Sequence, residues 1–183
     1  MKKLILFSFI LIVAAGNVAA QKGVFVTRKS LVKFISEAPL EVIKASSNQL
    51  KGLLDPDKRT FTFVIPNTSF VGFNNPLQQI HFYENYIEAQ KYPESKFAGK
   101  IIEQVNLDSD GDYQVRAKGD LTIHGVEQER IIRVKIHLSK GVMYATSDFS
   151  VLLKEHNITI PKVVYQKIAE EIFINVSMEM ARK

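Results

Sequence analysis

The residues able to do chemistry are few and scattered. The chain has four histidines, His81, His124, His137 and His156, and no cysteine. A zinc site built from strands needs ligands two residues apart or directly across a strand pair, and neither HxH nor HExxH spacing occurs. In the strand pairing set out below, His137 lies opposite Lys118, and His124 lies roughly 20 Å further along that strand at ~3.3 Å per residue. The two cannot share an ion. His81 falls on a predicted helix and His156 in a loop. His124 therefore reads as a turn residue on the outward parity. The stretch "NLDSDGD", Asn106 to Asp112, mimics the first half of a calcium loop, but its closing position is Ala117 rather than a bidentate Glu. A polar hairpin loop is the simpler reading, with a weak calcium contact as the alternative. GxSxG is absent, and Glu170-Glu171 precedes a strand as a solvated pair. The residues predict no metal, no cofactor and no enzymatic centre.

What could position a site is a set of strands. "YQVRAKGDLTIHGVEQERIIRVKIHL", Tyr113 to Leu138, alternates apolar and polar residues, breaks at a Gly and alternates again. A period of two means one buried face. Pairing 123 with 132 and 121 with 134 sets Asp120 against Lys135, a favourable outer pair. Burial fixes the parity: Tyr113, Leu121, Ile123, Ile132 and Val134 face in, while Arg116, Lys118, Lys135 and His137 face out. Val24 to Ala38 offers one or two strands, and Leu40 to Leu54 a bent one. Thr60 to Pro66, Phe97 to Leu107, Val142 to Val151 and Glu171 to Met180 read as further strands. Asn75 to Lys91 suits a short helix, with Leu77, Ile80, Tyr83 or Tyr86, and Ile87 as its apolar stripe. Leu152 to Ala169 reads as a loop or a short helix. About eight antiparallel strands with one apolar face must stack as two sheets or close into a barrel. Phe61, Phe63, Phe97, Tyr113, Leu121, Ile123 and Phe149 then point inward, either lining a channel or filling a core.

The start of the chain bears on location. Lys2 and Lys3 precede "LILFSFILIVAAG", and Val18 and Ala20 sit where a signal peptidase would cut before Gln21. Residues 1–20 are expected to be a signal peptide, and 21–183 a single periplasmic or secreted domain. An uncleaved N-terminal anchor is the alternative. No later stretch reaches the ~18 apolar residues of a spanning helix, so no membrane-spanning segment is expected after cleavage. Removing Lys2 and Lys3 lowers the formal charge of +5 to +3. No dense basic run with interleaved aromatics follows, which argues against nucleic acid. Without cysteine, the exported domain must be held by its core.

"HFYENYIEAQKYPESKF" followed by "GDLTIHGVEQERIIRV" resembles the YceI-like family of exported bacterial proteins, as does "APLEVIKASSNQLKGLLDPDKRTFTFVIPNTSF". The resemblance covers nearly all of the chain after residue 20. It implies an all-β, antiparallel, eight-stranded lipocalin-like barrel with one or two short helical segments and an apolar channel. It also implies an isoprenoid or isoprenoid-quinone chain as ligand, bound without catalysis. Many members carry an Arg-Asp pair shortly before the helix-turn segment; "NNPLQQIHF" has neither residue. The channel mouth is expected near 75–93, which adds Phe82 and Tyr86 to the candidate ligand-binding residues. The alternative is a solid barrel serving as an exported stress or interaction module with no small ligand. The sequence carries no sign of oligomeric state.

Overall fold

The computed structural model describes residues 23–183. The expected signal peptide, 1–20, lies outside the described residues. Nine antiparallel strands form the fold: β1 Phe25–Glu37, β2 Val42–Ser47, β3 Lys51–Asp55, β4 Thr60–Pro66, β5 Glu94–Ile101, β6 Gly111–Ile123, β7 Val126–Ser139, β8 Val142–Leu152 and β9 Glu171–Arg182. From β3 to β9 each strand pairs with the next, and β1 pairs with β2, β3 and β9. The sheet is thereby closed and its edges removed. β2 and β3 share one position, because β2 pairs with 32–37 of β1 and β3 with Phe25 and Val26. The result is an eight-position barrel. The bent strand expected over 40–54 is thus one strand position interrupted between Ser47 and Lys51.

The parity of 113–138 is as expected. Leu121 and Ile132 are buried, Tyr113, Ile123 and Val134 half-buried, and Arg116, Lys118, Lys135 and His137 exposed. The register is not as expected. Ile123 pairs with Val126 and Ala117 with Ile132, so Asp120 meets Glu129, not Lys135. The cause is the turn. His124 (φ 51°) and Gly125 (φ 71°) both adopt positive φ, the signature of a two-residue type I′ hairpin. This brings Val126 to Arg130 into the ladder. Lys118 pairs with Glu129 at 3.2 Å instead.

Two other boundaries move. β5 ends at Ile101 rather than Leu107, since Glu103 folds back to accept bonds from the Arg116 N–H and Nε, both at 2.7 Å. The helix is also shorter than 75–91. α1, Pro76–His81, starts with Asn75 accepting from the Gln78 N–H at 2.9 Å and Pro at its first position. One π-helical turn follows, Phe82–Tyr86. Glu88 then adopts φ 44° and ends it. The inserted residue of the π turn shifts the stripe. Leu77 and Ile80 are exposed, Phe82 turns toward the barrel, and only the later part of the expected stripe packs, with Ile87 buried and Tyr83 and Tyr86 half-buried. Within 152–169 there are two 3₁₀ turns, Leu153–His156 and Lys162–Val164.

The two barrel ends differ. One carries Gly23, Lys183 and the connections 56–59, 102–110 and 140–141. The other carries 38–41, 67–93, the 124–125 turn and 153–170. The long connections therefore gather at one end. Along the wall, Gly99 and Gly119 face each other across β5 and β6. A Cβ on either would sit 2.1 or 2.2 Å from a carbonyl oxygen of the partner strand. Only glycine allows so close an approach, which lets the sheet coil tightly there.

Candidate functional site: an apolar cavity open at one end

Inward parity on every strand builds a cavity of about 530 Å³. Its floor lies at the short-loop end. Phe25, Met143, Met180, Leu138 and Leu107 are all essentially without solvent contact there. The Arg182 guanidinium lies 4.6 Å from the Phe25 ring centre, donates to the Leu107 carbonyl at 3.0 Å and pairs with Asp108. This closes the end from outside.

Above the floor, one flank is aromatic. Phe63 and Phe97 pair directly across β4 and β5, and the Phe61 and Phe97 ring centres are 4.9 Å apart. Midway along β6 and β8 the inward positions are small: Ala117, Gly119, Ala145 and Ser147. Nearer the long-loop end a second aromatic group forms from Phe34, Phe70, Phe73 and Phe82, with Phe82 5.2 to 5.9 Å from the other three. Such tilted rings pack favourably and leave their apolar faces toward the space they enclose.

Eight of the nine expected site residues line this cavity. Phe61, Phe63, Phe97, Leu121, Ile123 and Phe149 come from the strands, and Phe82 and Tyr86 from the π turn. Burial pushes the Tyr86 phenol above its ordinary range. Tyr113 does not line it. Its parity is inward, but it sits beyond the floor, where its hydroxyl reaches the carbonyls of Asn106 and Ser109 at 2.9 and 2.6 Å. It pins the 106–110 loop instead. Phe34, Phe70 and Phe73 escaped the sequence reading. Phe34 carried the alternation Val32-Phe34-Ser36, whereas Phe70 and Phe73 lie between elements and carry no period.

Polar groups near the wall are largely paired among themselves. Asn67 donates to the Tyr92 carbonyl at 2.7 Å and accepts from Ser95 at 2.8 Å. The Ser36 hydroxyl accepts from the Ala169 N–H at 2.9 Å. Glu41, Asn75, Gln78, His81 and Lys167 mark the mouth. A cavity with so few free polar partners favours apolar contents over water.

The histidines do not gather. Among the described residues no three His, Asp or Glu side chains could hold one ion. His124 is a turn residue, yet its side chain is only 11% exposed rather than outward. At a turn the strand's alternation stops, so parity no longer places the ring. It meets Tyr92 edge to face at 4.6 Å, with Nε2 2.5 Å from a Glu88 oxygen and Nδ1 3.0 Å from the His156 carbonyl. His124 thus ties together three connections of the long-loop end. His156 is fully buried, and its Nδ1 donates to the Val126 carbonyl at 3.1 Å. Burial holds its imidazole below the ordinary range, and Nε2 has no partner. The 106–112 loop is structural: Asp110 accepts from the Lys140 N–H at 2.9 Å.

A family model described as the YceI-like domain matches residues 24–180. Solved structures share the fold at low identity. A polyisoprenoid binding domain from Saccharophagus degradans, implicated in plant cell wall breakdown, is 12% identical with a TM-score of 0.73, covering 88% of this chain and 99% of that one. BcnA from Burkholderia cenocepacia is 16% identical with a TM-score of 0.67, covering 82% and 95%. The YCEI protein of Campylobacter jejuni is 17% identical with a TM-score of 0.55, covering 100% and 99%. A sequence comparison with curated proteins found no match.

Proposed function

The chain belongs to the YceI-like domain family, and from that premise we propose that it is an exported, non-enzymatic carrier or buffer for an apolar isoprenoid-type chain held in the barrel. The observation that carries this reading is the cavity of about 530 Å³ walled by Phe, Leu, Ile and Val side chains. It falls inside the ~300–1,000 Å³ range of small-molecule sites. The structural neighbour that is a polyisoprenoid binding domain supports the ligand class. Burial of each methylene contributes ~0.8 kcal/mol, so a chain binds such a wall with few polar contacts. Branching and length then set selectivity. Export rests on residues 1–20 as a cleaved signal. Its check is the intact mass of protein isolated from the host, which should begin at Gln21.

The decisive test is native mass spectrometry of protein from its own host, followed by solvent extraction. An adduct that appears as a prenyl chain in the extract is expected. Phe63→Asp should abolish it in protein that still folds, and outward Lys118→Gln should leave it. A clean apo mass, an extract free of lipid and no uptake of added isoprenoid quinone would instead favour a solid module without a small ligand.

A further inference from the structure

β7 and β8 both run as strands to the long-loop end, yet only part of their length is joined. The ladder between them pairs 135–139 with 142–146 and stops there. Beyond it β7 continues to Val126 and β8 to Leu152. Each stays fastened to its other neighbour throughout: Val126 pairs with Ile123 of β6, and Leu152 with Glu171 of β9. The wall is therefore split from the mouth down to Lys135 and Thr146.

What crosses the split is side chain. The Ser147 hydroxyl donates to the Arg133 carbonyl at 2.8 Å. Arg130 has the inward parity of Ile132, but its guanidinium turns across the gap, to the Ser150 carbonyl at 2.6 Å and a Glu155 carboxylate oxygen at 2.9 Å. Gln128 donates to the Glu155 carbonyl at 2.8 Å, and at the rim the His156 bond to the Val126 carbonyl closes the row. Backbone polar groups must find partners, and here side chains stand where the opposite strand would. The flanks of the split are cavity wall, with Ile132 and Val134 on one side and Phe149 and Val151 on the other. Arg130 does not line the cavity.

We propose that this split is a lateral portal through which an apolar chain is laid sideways into the barrel, with Arg130 as its clasp. A chain threaded through the mouth alone must pass the group of Phe34, Phe70, Phe73 and Phe82 end on. A split continuous with the mouth admits it along its length. Opening breaks side-chain bonds and no ladder, and local opening costs least where backbone bonds are fewest. β6 and β9 hold the two strands meanwhile, so the barrel does not come apart. The proposal rests on the carrier reading and goes beyond it by assigning the route.

The first test needs no ligand. In delipidated protein, the amides of 128–134 and 147–151 that face the split should exchange about tenfold faster, or more, than those within the ladder at 136–138 and 143–145. Equal protection would overturn the portal. The second test follows a short-chain ubiquinone entering and leaving, by quenching of tyrosine fluorescence in a chain with six tyrosines and no tryptophan. Arg130→Met removes the clasp and should raise both rates about tenfold, leaving the dissociation constant unchanged. The opposite perturbation locks the split. Arg133→Cys with Asp148→Cys places two thiols at exposed positions that a continued ladder would pair, in a chain with no cysteine of its own. Joined by a short bis-maleimide, they should slow both rates about tenfold or more, since the low-cost opening is lost. The same bridge between Lys100→Cys and Lys118→Cys, across the intact β5–β6 ladder, should leave them. Normal affinity with rates unmoved by the lock would overturn the portal and leave the carrier reading standing. No uptake by any form, wild type included, would overturn both.

Discussion

Two leucines on neighbouring strands differ in what surrounds them. Leu121 on β6 is 6% exposed and lines the cavity, whereas Leu138 on β7 is 2% exposed and sits in the closed floor. Replacing either by Ala removes three carbons, a transfer loss of about 2.4 kcal/mol at ~0.8 per carbon. At Leu138 the vacated space is a new void, and the void adds its own cost of ~24 cal/mol per Å³. The total should be about 4 kcal/mol, within the ~2.7–5 range of tightly packed leucines. At Leu121 the vacated space joins a cavity already there, so the second contribution is missing and about 2 kcal/mol remains. Urea unfolding of delipidated protein, at constant m, reads the difference. Leu138→Ala should cost about twice what Leu121→Ala costs. Equal costs would mean that the interior at Leu121 is as tightly packed as the floor, and the hollow-barrel reasoning would fail. Adding a bound chain should widen the cost of Leu121→Ala, since the chain gives that side chain the neighbours it otherwise lacks.

Gly125→Ala should cost about 1–3 kcal/mol in the same assay, because φ of 71° is strained for alanine and its Cβ would fall 2.3 Å from the Tyr92 ring. Stability should decline as pH falls below about 6.5, the ordinary histidine value. Burial lowers the folded value of His156, with Arg130 lowering it further and Glu155 opposing. The unfolded chain therefore takes up the proton first. This contribution is intact above the unfolded value and lost as pH drops toward the folded one. His156→Asn, which can keep a donor for the Val126 carbonyl, should flatten that part of the profile between wild type and variant. Elemental analysis of the purified protein should find neither zinc nor calcium at one ion per chain. A tightly held stoichiometric ion would contradict both the scattered histidines and the open calcium loop.

How much of this was legible in the sequence depended on which force decided each feature. Parity along β6 to β9 was legible, since one face of each strand must leave water and the side-chain period is two. Register was not legible in the alternation, which is satisfied by any even shift, and the Asp120–Lys135 pair that one such shift creates does not form. The dipeptide His124-Gly125 held the better information: a two-residue turn fixes the register through the backbone, and a surface ion pair has too little energy to compete. Parity also could not say how deep the cavity runs, and so Tyr113 was placed on its wall rather than beneath its floor. The second aromatic group was half hidden, because Phe70 and Phe73 reach it from a connection without a period. His124 was misread for a related reason. Its ring is placed by Glu88 and His156, more than 30 residues away on either side.

The cavity itself is written in side-chain size. Eight strands close around an interior that side chains can just fill, so an open one requires small residues at inward positions. β6 and β8 supply them: Ala117 and Ala145 are buried and line the space, in a barrel whose β4 and β5 supply Phe61, Phe63 and Phe97. If the space is real, it can be filled. Ala117→Leu adds three carbons at a position where a packed core would charge about 1–3 kcal/mol for overpacking. Here the added atoms enter empty volume and trade contact with a void for contact with the aromatic flank. Stability should hold or rise by up to about 1 kcal/mol, in the range of cavity-filling substitutions. Uptake of an apolar chain should fall at the same time, because side chain and ligand compete for one volume. This opposition separates the variant from a merely damaged one, which loses both. A protein made less stable by 1 kcal/mol or more, as overpacking predicts, with chain uptake unchanged, would show that position 117 faces packed core and that the ligand lies elsewhere.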